Sequence, residues 1–420
     1  MGITVSRRDT CRLCGSGDLE LVLPLVPTPL ADDYVPAGLL KEAQPAYPLD
    51  LFLCRNCGFS QLLDVVSPED VYCDYIYETT SSLGLVDHFK RYADEVLAKI
   101  DPPAGALVID LGSNDGTLLR AYKNRGLRVL GVDPAREIAR KATESGVETL
   151  AGFFTAELAQ KIRADYGPAA IITANNLFAN VDDLNDMTAG IKSLLAPDGV
   201  FIFESFYLAD QIENMVFDFT YHEHLSYFSV KPLALFFRDH GMELIDAQRV
   251  PTKGGSLRYT AQLAGGRRPA APSITELEAN ESRLGIHDPA AFRAFNDRIE
   301  AAKGKLRAML SGLKAEGKTV AGYGASATTT TLVYHFGLGG DLDFIADDYP
   351  AKQNLYSPGF HIPVLAPEAL YEKRPDYVLI LAWRYYQPII DKHSRYVESG
   401  GRFIVPLPDL KVIPAPLHEG

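Results

Sequence analysis

Short runs of consecutive hydrophobic residues alternate with amphipathic stretches between Leu107 and Leu263. Their length and their content of Val, Ile and Phe are typical of strands buried on both faces of a parallel sheet. Four runs fit this description: Val108–Asp110, Val129–Asp133, Ile171–Thr173 and Val200–Phe203. Because such strands alternate with helices, the pattern predicts an α/β fold with a doubly wound, Rossmann-like sheet.

Hydrophobic residues at helical spacing predict helices outside this region. One covers about residues 70–100, with apolar positions at Leu85, Phe89, Tyr92, Val96 and Ile100. Another follows Asp288, its predicted cap, with apolar positions at Phe292, Phe295, Ile299, Leu306, Leu310 and Leu313. Strands are predicted again at Thr319–Tyr323, Phe344–Ala346, Tyr377–Leu381 and Arg402–Val405. The last hundred residues therefore predict a second, smaller α/β domain.

Charge and composition exclude several classes of protein. The 420 residues have a formal net charge of −13, whereas proteins that bind nucleic acid use Lys and Arg to neutralise phosphates. No apolar run approaches the roughly 18–20 residues that a membrane helix needs. The first residues have no apolar run ahead of a small-residue cleavage site, so we predict no secretory signal and a cytoplasmic location.

Four of the five cysteines form two pairs with the pattern C-x-x-C-G, Cys11 with Cys14 and Cys54 with Cys57. In a reducing compartment such pairs usually bind metal. Four thiolates complete the tetrahedral shell of zinc and leave no position open for catalysis. We therefore predict one structural zinc per chain; the alternative is four unrelated buried cysteines.

The first predicted strand runs into a turn with the pattern D-x-G-x-x-x-G, which starts at Asp110 and contains Gly112 and Gly116. A dinucleotide fingerprint has the pattern G-x-G-x-x-G instead. A carboxylate at Asp110 suits the cationic methionine end of S-adenosylmethionine (SAM) better than a pyrophosphate. Asp133 ends the next strand, where an acidic side chain accepts hydrogen bonds from ribose hydroxyls. We predict a SAM site, with NAD as the alternative ligand.

Three further residues are candidates for binding the cofactor. Asn114 lies within the turn, and Asn175 follows Ile171–Thr173, which is the fourth strand when a short third strand before Phe153 is counted. Phe153 follows the third strand, where it either flanks the adenine or belongs to the core, as does its neighbour Phe154.

These features predict four segments along the chain. Residues 1–70 form a zinc-binding domain and residues 71–265 a SAM-dependent methyltransferase domain. Residues 266–316 form a linker, which opens with Gly-Gly-Arg-Arg-Pro at 265–269, and a long helix. Residues 317–420 form the C-terminal α/β domain.

Ionisable and aromatic residues are dense between Asp218 and Phe228, after the fifth strand of the predicted sheet. Ligands of α/β proteins bind at the carboxyl ends of such strands. A His acts as a base near pH 7, and the adjacent Glu223 is placed to fix the tautomer and basicity of the base. If the segment is extended, His222 and His224 share one face and Tyr221 and Glu223 the other. The alternatives are a polar loop that covers the sheet, or a second metal at the two histidines, although no third ligand is evident.

Taken together, these motifs resemble the nucleotide-sugar C-methyltransferases of deoxysugar biosynthesis. The resemblance covers nearly the whole chain, and it rests on both cysteine pairs, the SAM turn and four other segments: Tyr75–Ser82, Tyr221–Ser229, Gly254–Arg258 and Gly322–Ser326. It implies that His224 is the general base, with Tyr221 and Glu223 as close partners. It also implies that Tyr75 or Tyr77 lies near the sugar.

The chain departs from this family at two positions. Asn180 stands where family members have a His, and Lys253 precedes Gly254 where a His is common. Asn forms hydrogen bonds with a ketone or hydroxyl but takes up no proton. We include Asn180 among the candidate catalytic residues and expect a difference in the sugar or in the ring position methylated.

The predicted function is SAM-dependent C-methylation of a nucleotide-linked 4-keto-deoxysugar through an enolate. Two alternatives stay open: an O-methyltransferase acting on a sugar or polyketide hydroxyl, and a non-catalytic scaffold that binds SAM or a nucleotide. The expected partner is the small-molecule substrate, with no nucleic acid and no membrane. The expected oligomeric state is monomer or dimer.

Overall fold

A computed structural model describes residues 3–73, 79 and 84–414. The chain forms two compact units, each assembled from three separate segments. The first unit contains Met1–Glu20, Leu53–Ala209 and Leu225–Asp288, and the second contains Leu21–Phe52, Asp210–His224 and Pro289–Gly420. These units cut across the four contiguous segments of the sequence analysis, and that four-segment division stays a prediction.

The α-helices in the described part of the chain are Pro68–Tyr72, Leu85–Ile100, Thr117–Lys123, Arg136–Glu144, Ala156–Tyr166, Leu184–Leu194, Leu208–Glu213, Val230–Asp239, Pro272–Leu284, Pro289–Ala315, Ala327–Phe336, Ala369–Lys373, Tyr386–Lys392 and Ser394–Glu398. None of these helices is long and apolar enough to cross a lipid bilayer.

A seven-stranded sheet forms the centre of the first unit. Its strands lie in the spatial order Thr149–Ala151, Arg128–Asp133, Leu107–Leu111, Ala169–Thr173, Leu195–Phe206, Ser256–Leu263 and Met242–Val250. Numbered along the chain, this order is 3-2-1-4-5-7-6. The first five strands are parallel, and the last two form an antiparallel pair beside the fifth. The four predicted strands and the doubly wound order are thereby confirmed.

One face of this sheet is covered by the helix Leu85–Ile100, as its apolar spacing predicts. Phe89, Tyr92, Val96 and Ile100 are buried in one cluster with sheet residues such as Val108, and Leu85 packs against that cluster. The predicted linker contains an additional helix, Pro272–Leu284, which has Pro in its first turn and ends at Gly285 with φ of 65°. Pro at the start and Gly at the end are typical helix boundaries, so the sequence did contain a signal for this helix.

Small sheets lie near the cysteine pairs along the chain. One has the order Ser226–Tyr227, Ser60–Leu62, Leu51–Cys54 and Leu19–Leu23, and another pairs Val5–Arg7 with Asp64–Val66. A two-stranded sheet in the second unit pairs Leu355–Tyr356 with Val35–Pro36.

The second unit contains a six-stranded sheet with the spatial order Val364–Leu365, Ile345–Ala346, Val320–Tyr323, Tyr377–Ile380, Arg402–Val405 and Lys411–Ile413. Five strands are parallel and the last is antiparallel. The predicted strands of the C-terminal region are confirmed, as is the long helix Pro289–Ala315 with its six buried apolar residues.

Candidate functional site

The four paired cysteines converge in the first unit. Their Sγ atoms all lie within 4.8 Å of one another. The Sγ–Sγ distances are 3.7 Å for Cys11–Cys57 and 3.6 Å for Cys14–Cys54. Four sulfurs bound tetrahedrally to zinc lie about 3.8 Å apart, given Zn–S bonds of about 2.3 Å. The cluster therefore fits a structural zinc ion with no open coordination position.

The glycine after each cysteine pair has a positive φ and closes a tight turn. Gly15 and Gly58 have φ of 71° and 80°, a region that suits glycine. Each glycine N–H donates to the carbonyl at the start of its pair, Gly15 to Cys11 and Gly58 to Cys54, over 2.9 Å in both cases. These turns present two sulfurs to one ion.

Arg12, inside the first cysteine pair, is a residue that sequence reasoning missed. Its side chain is fully buried, and its Nε donates to Oδ1 of Asp182 over 2.9 Å. Its Nη1 donates to Oε1 of Gln61 over 3.0 Å and to the carbonyl of Leu62. Burial lowers the pKa of Arg12 to about 10. Arg12 therefore connects the first cysteine pair to Asp182, which lies two residues after Asn180.

The predicted SAM turn begins where the first strand, Leu107–Leu111, ends. Gly112, Asn114 and Gly116 all have positive φ, at 69°, 49° and 76°. A Cβ on Gly112 would lie 3.3 Å from Cβ of Leu177. The turn therefore needs glycine at position 112, both for the positive φ and for the close approach to Leu177.

Asp133 connects this turn to the end of the second strand. Its Oδ2 accepts from the Asn114 N–H over 2.8 Å, and its Oδ1 accepts from the Ala135 N–H over 2.9 Å. Because a carboxylate oxygen has two acceptor sites, these bonds leave acceptor capacity for the predicted ribose hydroxyls. Burial raises the pKa of Asp133.

Asp110 is a buried acid at the carboxyl end of the first strand. It accepts a 2.6 Å hydrogen bond from Oγ1 of Thr173. Burial raises the pKa of Asp110 to about 7, and the nearby charge of Asp133 also raises it. A cation bound beside Asp110 would favour its ionised form.

The other cofactor candidates lie at the same edge of the sheet or follow its third strand. Asn175 accepts from the Glu204 N–H through Oδ1 over 3.0 Å, and its buried Nδ2 has no hydrogen-bond partner in the described chain. Phe153 is half-buried, whereas Phe154 lies against Gly190. The glycine turn, the buried acid and the unpartnered amide nitrogen fit a ligand with a cationic and a polar end, as SAM has.

The segment Tyr221–His224 forms a turn, so the predicted extended conformation is wrong. The His224 N–H donates to the Tyr221 carbonyl over 2.9 Å, and this bond brings residues three apart together. The rings of Tyr221 and His224 lie 4.0 Å apart, centroid to centroid. His222 and His224 consequently bond to different parts of the chain.

His224 is buried and has a defined tautomer. Its Nδ1 lies 2.9 Å from the carbonyl oxygen of Phe219. A carbonyl only accepts, so Nδ1 carries the proton and the neutral ring has its lone pair on Nε2. The Phe219 carbonyl therefore contributes to fixing the tautomer, and the role of Glu223 stays a prediction.

His222 has a different environment. Its Nε2 donates to the Tyr47 carbonyl over 3.3 Å, and burial lowers the pKa of His222 to about 4. Within residues 3–73, 79 and 84–414, the cysteine cluster is the only group of three or more potential metal ligands. The described chain thus provides no second metal site at the histidines.

A buried ion pair precedes the two histidines along the chain. Asp218 is completely buried and accepts from Nη1 of Arg384 at 2.9 Å to each carboxylate oxygen. The indole Nε1 of Trp383 donates to the same carboxylate over 3.0 Å. No sequence signal pairs Asp218 with Arg384, because 166 residues separate them.

A second ion-pair cluster lies at the end of the fifth strand in the first unit. Oε2 of Glu204 lies 2.7 Å from Nε2 of His88, and its Oε1 accepts from Nε of Arg258 over 2.8 Å. The Arg258 guanidinium lies 4.0 Å from the ring centroid of Tyr92. Arg258 belongs to the motif Gly254–Arg258, but its partners were not predicted.

The remaining predicted site residues have different outcomes. Asn180 is half-buried, and its buried Oδ1 has no hydrogen-bond partner among the residues described. Tyr75 and Tyr77 lie outside the described residues, as does the side chain of Lys253. Their roles stay predictions.

Comparison with known proteins identifies the family. Three regions match described families: residues 11–72 a zinc binding domain, residues 86–247 a methyltransferase domain, and residues 251–408 the C-methyltransferase C-terminal domain. The C-methyltransferase NovU of Streptomyces niveus is 36% identical over 408 residues, which cover 97% of each chain. This chain belongs to the C-methyltransferase family. It is a SAM-dependent methyltransferase whose cysteine cluster forms a zinc site.

Two solved structures are similar to part of this chain. The CcbJ methyltransferase from Streptomyces caelestis is 16% identical and covers 42% of this chain and 90% of its own, with a TM-score of 0.34. The magnesium protoporphyrin IX methyltransferase from Synechocystis PCC 6803 is 15% identical and covers 46% and 90%, with a TM-score of 0.33.

Proposed function

We propose that this C-methyltransferase methylates a ring carbon beside the ketone of a nucleotide-linked 4-keto-deoxysugar. The family match favours carbon as the methylated atom, and the observation that supports general-base catalysis is the tautomer of His224. Its Nδ1–H bond to the Phe219 carbonyl leaves the basic lone pair on Nε2, the state that a general base needs before it takes a proton.

In the proposed reaction, His224 Nε2 takes the proton from the carbon beside the ketone, and the electrons of the C–H bond form an enolate. Tyr221 or Asn180 helps to hold the enolate oxygen, and Glu223 supports the charged imidazolium. Bound SAM would supply an electrophilic methyl group for a new bond to the enolate carbon, with the neutral thioether as the other product of the broken methyl–sulfur bond. The residues proposed to hold SAM are Asp110, Gly112, Asn114, Gly116, Asp133, Phe153 and Asn175. Tyr75 or Tyr77 is proposed to contact the sugar.

Exchange of solvent deuterium into the substrate tests this mechanism. Incubated in D₂O without SAM, the enzyme should incorporate label beside the ketone. An O-methyltransferase deprotonates a hydroxyl and incorporates no label at carbon, and a non-catalytic scaffold incorporates none either.

The variant His224→Asn should lose about 10²–10⁴-fold in turnover, the usual contribution of a general base, with SAM affinity nearly intact. It should also stop the exchange of deuterium. His222→Asn is the matched control, because His222 is equally buried but bonds to the Tyr47 carbonyl.

Near-full turnover in His224→Asn together with an inactive His222→Asn would assign the base to the other histidine. If both variants stay active, the histidines are structural and the base lies elsewhere, with Tyr75 and Tyr77 as the next candidates.

A further inference from the structure

Phe219 contacts both the candidate base and a buried cation. Its carbonyl accepts the Nδ1–H of His224 over 2.9 Å, and its ring stacks on the His224 ring at 5.6 Å with 25° between the planes. The guanidinium carbon of Arg384 lies 4.5 Å from the centroid of the Phe219 ring. Phe219 therefore determines the position of His224 through its backbone and its side chain.

The residue before Phe219 is held in turn. Asp218 accepts two 2.9 Å hydrogen bonds from Arg384 Nη1 and one of 3.0 Å from Trp383. Replacing a buried ion pair by apolar residues is often neutral or stabilising, so such a pair is weak evidence for a role in stability. The contacts here indicate a geometric role, because they fix the backbone immediately before the Phe219 carbonyl.

Both terminal nitrogens of Arg384 bond within the described chain, whereas its buried Nε has no hydrogen-bond partner there. Its Nη1 bonds to Asp218, and its Nη2 donates to Oγ1 of Thr328 over 3.2 Å. The carboxylate of Asp218 neutralises its charge. A substrate phosphate would have to break this pair to bind Nη1 of Arg384.

We propose that Asp218 and Arg384 are positioning residues that keep the Phe219 carbonyl against His224 Nδ1 and thereby hold the His224 lone pair on Nε2. The proposal rests on the proposed function, in which His224 is the base. A neutral imidazole with its proton on Nε2 cannot take a proton there. In serine proteases, loss of the group that fixes the tautomer of the catalytic His lowers kcat by about 10⁴-fold.

The direct test is the tautomer itself, measured by ¹⁵N NMR of the full-length zinc-loaded protein with labelled histidines. The His224 signals are assigned by their absence in His224→Asn. Wild-type protein should show the Nδ1–H tautomer. The double variant Asp218→Asn/Arg384→Met removes the ion pair without leaving a buried charge, and it should show a mixture of tautomers.

Asp341→Asn is the matched control, because it breaks a different ion pair of the second unit, the one between Asp341 and Arg307. It should leave the Nδ1–H tautomer unchanged. Arg384→Met alone is measured in parallel, since it removes both the hydrogen bonds to Asp218 and the contact with the Phe219 ring. This single variant should also show a mixture of tautomers, and it replaces the double variant in the test if the double variant fails to fold.

Deuterium exchange provides the second readout. The ion-pair variants should exchange roughly 10- to 100-fold more slowly, less than the loss on removing a tautomer-fixing group in serine proteases, with SAM affinity unchanged. A folded ion-pair variant that keeps a pure Nδ1–H tautomer would overturn the proposal, whatever its rate. A mixed tautomer in these variants together with an active His224→Asn enzyme would instead uphold the positioning role and overturn the proposed base.

Discussion

The two central sheets share an arrangement at the end of their first and second strands. In the first sheet, Asp133 accepts from the N–H of Asn114 in the turn and from the N–H of Ala135 two residues later. In the second sheet, Asp347 accepts from the Ala325 N–H over 2.5 Å and from the Tyr349 N–H over 2.7 Å. Both sheets also have the spatial order 3-2-1-4-5 in their parallel strands.

The two sheets differ in the residue four positions before the turn residue whose N–H donates to the carboxylate, Asn114 in the first sheet and Ala325 in the second. This residue is Asp110 in the first sheet and Ala321 in the second, and both are buried. The shared carboxylate bonds therefore belong to the architecture of the turn. The turn of the first sheet therefore has a buried acid, Asp110, that the turn of the second sheet lacks.

Zinc removal should have the largest effect, a loss of stability in the first unit but not in the second, because the cysteine cluster belongs to the first unit. Structural zinc sites release on the order of 10 kcal/mol on binding, and this energy contributes to folding. Chelation or Cys54→Ser should raise hydrogen exchange in Ser60–Leu62 and Ser226–Tyr227. The strands Val320–Tyr323 and Tyr377–Ile380 of the second sheet should stay protected.

Metal analysis provides the check on this prediction. Protein purified without chelator should contain one zinc per chain. A content well under one would contradict the zinc assignment, and equal loss of protection in both sheets would remove the distinction between the units.

Asp110→Asn should weaken SAM binding by about 1.5–3 kcal/mol, the scale of a hydrogen bond to a charged group. The same change should stabilise the protein without ligand above pH 7. Folding raises the pKa of Asp110 from 3.8 to about 7. The folded protein therefore loses stability as the pH rises from about 4 to about 7, and the full loss remains above pH 7. Calorimetry and thermal unfolding at pH 8 should thus show opposite effects. Unchanged SAM affinity would exclude Asp110 from the cofactor site.

Asp133→Ala should weaken SAM binding by roughly 1–3 kcal/mol, because it removes the predicted ribose acceptor. Asp347→Ala is the matched control, since it breaks the same pair of backbone hydrogen bonds in the second sheet. Isothermal titration should show unchanged SAM affinity in this control. Equal losses in both variants would mean that the carboxylates act on binding only through the stability of the fold.

The smallest expected effect is the pH dependence of SAM affinity. The ionised form of Asp110 binds a cation better, so affinity should rise as pH rises through about 7. When only the ionised form of Asp110 binds SAM, a pKa of about 7 lowers the dissociation constant about tenfold between pH 6 and pH 8. The titration should be flat in Asp110→Asn. A wild-type enzyme with flat affinity over this range would contradict the assignment.

The regular part of the fold was predictable because its signals are local. Continuous apolar runs identified strands such as Leu107–Leu111, and apolar spacing identified the helices Leu85–Ile100 and Pro289–Ala315. The edge strands Val364–Leu365 and Lys411–Ile413 have two and three residues, too few for a periodic pattern.

The candidate site was predictable in its motifs but not in its contacts. The cysteine spacing predicted the cluster because each turn is local. The orientation of His222 and His224 was wrong because one backbone hydrogen bond converts the expected extended segment into a turn. The partners of Arg12 and Asp218 come from distant parts of the chain, and a single sequence contains no signal for such pairs.

The central claim is methyl transfer to carbon beside a ketone. Its most direct test is NMR of the product formed from SAM with a ¹³C-labelled methyl group and a nucleotide-linked 4-keto-deoxysugar. We predict a methyl resonance coupled to a ring carbon next to the ketone. A labelled methoxy resonance, with the methyl on oxygen, would contradict the account.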